Sequence, residues 1–340
     1  MFATVPRVLE KVYGRILEKI AVLTGAQKRL VNWSLDLAEA YEVGKKPPAG
    51  QRLQLKMANS LVFRKWRAAL GGRIKFIITG GAALEGKLTN LFGAAGVTIL
   101  QGYGLTETSP VISFNRPDRN RAGTVGEPLP GVEVKIADDG EILTRGHHVM
   151  QGYYRNEERT AEAINAEGWF HTGDIGELSD EGYLRITDRK KDLFKLSTGK
   201  YVMPQPLENR LRSHPLIEQA VVVGLGQKYC AALLFVEQDT LRIFAGTRGL
   251  NADIPVERLI EHPKVLQRYE ELVTVANEGM DHWNTIKSFR LMIDHLTIEN
   301  GLMTPKLSVK RKLVHERFAD AISALYTDTE AQAHRKVLTS

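Results

Sequence analysis

The sequence predicts an α/β protein in which a large domain, made of a parallel sheet with helices and a small β subdomain, precedes a small α+β domain. Two apolar runs, 74–79 and 96–100, lead into glycine-rich backbone between helical patterns, as in open α/β sheets. Short strand and turn signals follow in 123–188. A helix and an apolar hairpin then follow in 204–236, and this order indicates the α+β domain.

A charged break at 188–192, Asp-Arg-Lys-Lys-Asp, is the strongest domain-boundary signal, because it ends an apolar strand pattern. We therefore predict one domain at 1–188 and a second at 189–340. The alternative interpretation of the break is a solvated charged turn.

Length and composition indicate a globular protein with more than one core. Single cores stop growing well before 340 residues, and 43% apolar with 25% charged residues is ordinary for such proteins. The net charge is +6, but the basic residues are scattered. We therefore assign the charge to phosphate ligands or solvation and predict no nucleic-acid partner.

Cysteine use and hydropathy indicate the compartment. Cys230 is the single cysteine, so no internal disulfide forms, which fits a reducing compartment. The sequence has neither a signal-peptide pattern nor an apolar run long enough for a bilayer. We predict a cytoplasmic protein, with peripheral membrane contact left open.

The segment 101–108, Gln-Gly-Tyr-Gly-Leu-Thr-Glu-Thr, is the first candidate site. Gly102 lets a ligand approach the backbone, and Tyr103 offers a flat face to a base. Thr106 offers a hydroxyl to phosphate, and Glu107 a carboxylate to Mg²⁺. The alternative is a strand-to-helix loop with a capping threonine.

A second glycine-rich loop, 80–84, follows the first apolar run, and glycines there also permit tight strand-to-helix packing. Residues 81–87 match the phosphate-loop pattern Gly-x-x-x-x-Gly-Lys. Leu88 stands where that pattern needs a hydroxyl, and Glu85 would repel phosphate. A P-loop NTPase is therefore the weaker interpretation.

Segment 101–108 resembles the Tyr-Gly-x-Thr-Glu motif of the AMP-forming acyl-CoA synthetases, a family of adenylating enzymes. The resemblance implies that Tyr103 stacks on adenine, Thr106 contacts phosphate and Glu107 holds Mg²⁺. It places the other residues of the nucleotide pocket at Gly81, Ala82, Gln101 and Gly102.

Further motifs continue the resemblance along the chain. Thr-Gly-Asp at 172–174 resembles the family's ribose-binding motif, and a carboxylate can accept bonds from both ribose hydroxyls. The resemblance implies that Asp174 and Arg189 bind ribose, that Lys191 is the hinge between domains and that the Gly199 loop approaches the acceptor thiol. Without the resemblance, an Asx turn or a cap after Gly173 is the favoured explanation of Asp174.

Segment 299–312 resembles the C-terminal signature of long-chain fatty acyl-CoA synthetases. Val309 replaces the glycine of the general Ser-Gly-Lys form. That change leaves Lys310 as the first candidate for the catalytic lysine and Lys312 as the second.

The resemblance implies an AMP-forming acid–thiol ligase of fatty acid and lipid metabolism. Its substrates are a fatty acid, ATP and CoA, its metal is Mg²⁺, and Lys310, Thr106 and Glu107 are the catalytic candidates. No segment matches the family's upstream Ser/Thr/Gly-rich phosphate loop. We therefore expect the C-terminal part of a truncated or split synthetase, with reduced activity alone and an N-terminal partner chain. The alternative is a non-catalytic nucleotide- or CoA-binding module.

Overall fold

The computed structural model describes residues 1–21, 23–305 and 307–327, without the side chains of 18, 21 and 69. The chain divides into two compact units, with the division between Lys190 and Lys191. Residues 328–340 of the predicted second domain lie outside the described part. None of the described helices is long and apolar enough to cross a bilayer.

The first unit contains a five-stranded mixed sheet. Its strands, in spatial and chain order, are β1 (Phe2–Thr4), β2 (Phe76–Thr79), β3 (Thr98–Gly104), β4 (Val111–Phe114) and β5 (Glu127–Pro128). The first three strands are parallel, and the last two continue the sheet in the antiparallel sense. Helices supply the apolar side chains that cover it: α1 (Pro6–Ala21), α2 (Gly25–Glu39), α3 (Ala49–Ala58), the π-helical segment Asn59–Phe63, α4 (Arg64–Ala69) and α5 (Gly86–Ala94).

A second, antiparallel sheet completes the first unit. It consists of β6 (Val132–Ile136), β7 (Glu141–Gly146), β8 (Phe170–Leu178) and β9 (Leu184–Arg189), with α6 (Glu157–Ala163) between β7 and β8. Apolar side chains join the two sheets, because Tyr103 and Ile112 share a buried cluster with Ile142 and Leu184. This cluster brings the end of β3 against the strands of the second sheet.

The second unit is α+β. Its elements are β10 (Phe194–Lys195), β11 (Tyr201–Val202), α7 (Pro204–Arg212), β12 (Ile217–Val223), β13 (Cys230–Val236), α8 (Gln238–Thr247), α9 (Val256–Ile260), α10 (Pro263–Asn277), β14 (Ile286–Met292), α11 (Arg311–Arg317) and α12 (Ala319–Thr327). The apolar strand β13 lies between β12, which is antiparallel to it, and β14, which is parallel to it. All seven of its residues are buried, as expected for a strand covered on both faces.

Two element boundaries differ from the sequence pattern. The apolar run 96–100 predicts a strand that stops before the glycine-rich segment, yet β3 continues to Gly104 because it pairs with β4. A Cβ at Gly102 would lie 2.6 Å from the Phe114 ring, so glycine permits this pairing. The pattern from His315 onward predicts one helix, but the backbone leaves helical geometry at Phe318, whose ring packs edge-on against Phe235.

Candidate functional site

Three predicted ligand-binding residues form a connected chain inside the first unit. The Tyr103 hydroxyl donates a 2.8 Å hydrogen bond to Asp174 Oδ2, and Arg189 Nε lies 3.1 Å from Asp174 Oδ1. Asp174 is 3% exposed. Because Asp174 and Arg189 are direct partners in the β8–β9 ladder, strand pairing alone places them together. Both oxygens of the Asp174 carboxylate are therefore held in place, Oδ2 by Tyr103 and Oδ1 by Arg189.

The apolar cluster between the two sheets sets the position of Tyr103. Its ring is buried, and burial together with the neighbouring Asp174 carboxylate raises the pKa of the hydroxyl far above its usual value. Tyr103 therefore remains a protonated donor to Asp174 at neutral pH.

The two glycine-rich loops meet at the carboxyl ends of β2 and β3, where open α/β sheets bind ligands. A Cβ at Gly80 would lie 3.1 Å from the Gly102 carbonyl oxygen, so the loop after β2 lies directly against the motif strand. Gly81, with φ +79°, and Ala82 are exposed on this loop. Gln101 is buried, and its carbonyl accepts from the Asn115 N–H at 2.9 Å.

The phosphate-loop pattern does not produce an open anion site. Lys87 Nζ forms a 2.8 Å ion pair with Glu39. Helix α5 begins at Gly86, where a Cβ would lie 3.0 Å from the Gly123 nitrogen, so backbone already occupies that approach. Both features disfavour a P-loop.

We expect Lys87→Ala to change AMP affinity less than twofold, because its ammonium group serves the Glu39 ion pair. Equilibrium dialysis with labelled AMP measures this affinity. A tenfold loss would restore the P-loop interpretation, whereas Lys45→Ala, which removes another surface ion pair with Glu42, provides the matched control.

Thr106 and Glu107 occupy a 3-10 turn, Thr106–Thr108, directly after β3. Thr106 is exposed and Glu107 is half-buried. The Tyr153 hydroxyl donates to Glu107 Oε1 at 3.1 Å, and the Met150 N–H donates to the Glu107 carbonyl at 2.8 Å. The catalytic candidate Glu107 is therefore attached to the loop that follows β7.

The residues around Glu107 fit a metal that arrives with a nucleotide. Among the described residues, no group of three or more acidic, histidine or cysteine side chains could hold a metal by itself. Mg²⁺ commonly binds one or two carboxylates and completes its shell with phosphate oxygens and water. A single half-buried carboxylate such as Glu107 suits that arrangement.

Glu141 is a buried carboxylate that the sequence motifs did not single out as a site residue. Its Oε1 accepts from the Gly173 N–H at 2.9 Å, and its Oε2 lies 3.0 Å from His171 Nδ1 and 2.8 Å from Lys190 Nζ. Lys190 also contacts Asp139 at 2.7 Å. Burial by itself would raise the pKa of Glu141, but bonds from Lys190, His171 and Gly173 outweigh it and lower the pKa overall.

The position of Glu141 relates it to the nucleotide-binding candidates. Gly173 immediately precedes Asp174, and Lys190 immediately follows Arg189. Glu141 therefore fixes the backbone beside both members of the Asp174–Arg189 pair. An acidic residue at the start of the buried strand β7 was the signal available in the sequence.

The remaining candidates belong to the second unit. Lys191 is its first residue, and Gly199, with φ +86°, lies in the turn between β10 and β11. Lys310 is exposed directly before α11, and its N–H donates to the Leu302 carbonyl at 2.9 Å. The Lys312 side chain is 89% exposed.

The backbone beside Lys310 is held by ion pairs. Arg311 pairs with Glu208 at 2.5 Å and lies 3.7 Å from Asp192. The start of α11 is therefore anchored to residues near the beginning of the second unit, while the Lys310 ammonium group extends to solvent.

Comparison with known families identifies the class of protein. Residues 1–154 match the model of the AMP-binding enzyme family, and residues 191–330 match the AMP-binding enzyme C-terminal domain. The chain therefore belongs to the AMP-binding enzymes. Asp174 and Arg189 lie between the two matched ranges.

Individual relatives show which members of this family the chain is similar to. The chain is 40% identical to the long-chain-fatty-acid–CoA ligase FadD15 of Mycobacterium bovis over 95% of its own length and 54% of that protein. It is 32% identical to the peroxisomal long chain acyl-CoA synthetase 6 of Arabidopsis thaliana, over 97% of this chain and 49% of the relative. The chain thus spans about half the length of the curated relatives it matches.

A solved structure shows the same fold. The adenylation domain of a carboxylate reductase from Mycobacterium chelonae superimposes with a TM-score of 0.68 at 22% identity, over 96% of this chain and 46% of that one. The predicted fold class and family are therefore confirmed.

Proposed function

We propose that this chain forms the adenosine-binding part and the C-terminal domain of a long-chain fatty acid–CoA ligase. The contact chain Tyr103–Asp174–Arg189 carries the proposal, because it gathers an aromatic ring, a carboxylate and a guanidinium around one point. The ligase and synthetase names of the relatives support the choice of substrate.

The proposed reaction has two steps. A fatty carboxylate oxygen attacks the α-phosphorus of ATP, the bond to the pyrophosphate oxygen breaks, and acyl-AMP forms. The sulfur of CoA then attacks the acyl carbonyl, the bond to AMP breaks, and the thiol proton is released. Asp174 and Arg189 would hold the ribose in both steps, while Tyr103 would orient adenine.

Charge stabilisation in the first step would come from Thr106, Glu107 and Lys310. Thr106 would donate to a phosphate oxygen, and Glu107 would hold Mg²⁺, which neutralises charge on the phosphates when it is bound. Lys310 would place its ammonium group where the carboxylate meets the phosphorus. Such groups accelerate reactions because they stabilise charge that develops in the transition state.

We further propose that the two units act as separate domains about a hinge at Lys191, with Arg189 remaining in the first of them. Rotation at Lys191 would exchange Lys310 for the Gly199 loop between the two steps. Contacts with the β- and γ-phosphates would come from a further polypeptide segment, either in the same chain or as an N-terminal partner. A cytoplasmic location with peripheral membrane contact suits a lipid substrate.

The second step tests the ligase proposal without the phosphate contacts. We expect the purified chain, given palmitoyl-AMP and CoA, to form palmitoyl-CoA faster than buffer, because AMP is the leaving group and no pyrophosphate takes part. Chromatography of the thioester measures the rate. Tight binding of palmitoyl-AMP without acceleration would instead support a non-catalytic nucleotide-binding module.

The first step tests which lysine is catalytic. We expect Lys310→Ala to lower the palmitate-dependent exchange of pyrophosphate into ATP that the chain supports by about 10²-fold or more, the typical effect of removing one group that stabilises transition-state charge. Lys312→Ala should change it less than twofold, since the Lys312 side chain is 89% exposed and its ammonium group lies 4.0 Å from Glu316. Reversal of these two effects would assign the role to Lys312.

A further inference from the structure

Tyr153 lies in the loop between β7 and α6, 46 residues from Glu107 in sequence, yet its hydroxyl contacts the Glu107 carboxylate at 3.1 Å. We propose that Tyr153 is a positioning residue that orients Glu107 for a nucleotide-bound Mg²⁺. The inference rests on the proposed function, because it assumes that Glu107 meets the metal.

The backbone of Tyr153 is fixed by its neighbours. Its N–H donates to Thr160 Oγ1 at 2.9 Å, and that hydroxyl donates to the Asn156 carbonyl at 2.8 Å. A Cβ at Gly152 would lie 2.7 Å from Thr160 Cγ2, so glycine permits the approach. The Asn156 side chain in turn caps α6. Hydrogen bonds therefore tie the Tyr153 backbone to the first turn of α6.

The same loop holds Glu107 at a second point. The Met150 N–H donates to the Glu107 carbonyl at 2.8 Å, while Tyr153 binds the carboxylate. Within the described residues, no other hydrogen bond is made to this carboxylate. With Oε1 held by Tyr153, Oε2 can face the cation.

The chemistry of the contact fixes the two roles. The phenolic O–H of Tyr153 is the donor, and the Glu107 carboxylate oxygen is the acceptor. A donor on one carboxylate oxygen limits rotation of the group before metal arrives. Loss of such an outer contact typically lowers metal affinity about 10- to 100-fold.

Tyr154 provides the matched control. It adjoins Tyr153 but is 85% exposed, and its ring lies beside Arg155, 5.0 Å from the guanidinium carbon. A Tyr154→Phe variant removes the same atom from the same loop without touching Glu107.

The experiment compares ATP affinity with saturating Mg²⁺ and with chelator, by equilibrium dialysis, in wild type, Glu107→Gln, Tyr153→Phe and Tyr154→Phe. AMP affinity in chelator reports whether the adenosine site is intact. The Mg²⁺ enhancement is the ratio of the ATP affinity with Mg²⁺ to the ATP affinity with chelator. We expect this ratio to be about tenfold smaller in Tyr153→Phe than in wild type, while AMP affinity stays within twofold. Tyr154→Phe should match wild type in both measurements.

Each other result overturns a specific statement. If Glu107→Gln loses the Mg²⁺ enhancement but Tyr153→Phe keeps it, the positioning role fails while the proposed metal role of Glu107 stands. If wild type has no Mg²⁺ enhancement, or if Glu107→Gln retains it, the positioning role of Tyr153 and the metal role of Glu107 are both overturned. If Tyr153→Phe also loses AMP affinity in the presence of chelator, Tyr153 has a general structural role, and the inference is overturned.

Discussion

Asp174→Asn is expected to lower AMP affinity about 10²-fold, the effect of weakening hydrogen bonds from two hydroxyls to one charged acceptor. The amide keeps the shape but loses the charge and replaces one acceptor with a donor, which would face either Tyr103 or Arg189. Calorimetric titration of AMP measures the affinity.

Asp180→Asn is the matched control for this prediction, because Asp180 is exposed in the turn after β8. Circular dichroism of both variants shows whether the fold is retained. A folded Asp174→Asn protein that binds AMP within twofold of wild type would remove Asp174 from the nucleotide site.

Glu141→Gln is expected to lower the free energy of unfolding by about 1–3 kcal/mol, the usual effect of weakening bonds between a buried charged group and its partners. Glutamine cannot accept charge-assisted bonds from both Lys190 and the Gly173 N–H in the same geometry. AMP affinity should fall as well, because Gly173 precedes Asp174. Urea unfolding followed by circular dichroism measures the stability.

Glu133→Gln is the corresponding control, since Glu133 is an exposed partner of Arg145 and such pairs contribute at most about 1 kcal/mol. The pKa of Glu141 is lowered in the folded protein, so its stabilisation is present above the unfolded value of about 4.3. It is lost as pH falls through the folded value. The stability difference between wild type and Glu141→Gln should therefore shrink in acid, and a constant difference would contradict this assignment.

The family and the fold class could be predicted because they are indicated by short sequence motifs and by the local hydrophobic pattern. Tyr103 and Glu107 stand in one short motif, and Asp174 stands in another. Hydrophobic pattern alone placed the end of β3 too early, since the continuation to Gly104 depends on pairing with β4. Strand limits of this kind are set by tertiary contacts.

The contacts of Glu141 and Tyr153 could not be predicted from sequence. Glu141 meets Lys190 across 49 residues, and Tyr153 meets Glu107 across 46. No residue spacing indicates such contacts. The first arises when β7, β8 and β9 pair in one sheet, and the second when the loop after β7 lies beside the end of β3. The roles of Lys191, Gly199 and Lys310 stay predictions, since they depend on movement of one unit relative to the other.

Calorimetric titration of the purified chain with AMP and with 2′,3′-dideoxy-AMP tests the central claim most directly. If Asp174 and Arg189 form a ribose site, AMP should bind at least tenfold more tightly than the dideoxy compound. The dideoxy compound lacks the 2′- and 3′-hydroxyls that would donate hydrogen bonds to the buried Asp174 carboxylate. Equal affinity for the two compounds, or no binding of either, would contradict an adenosine site built on Tyr103, Asp174 and Arg189.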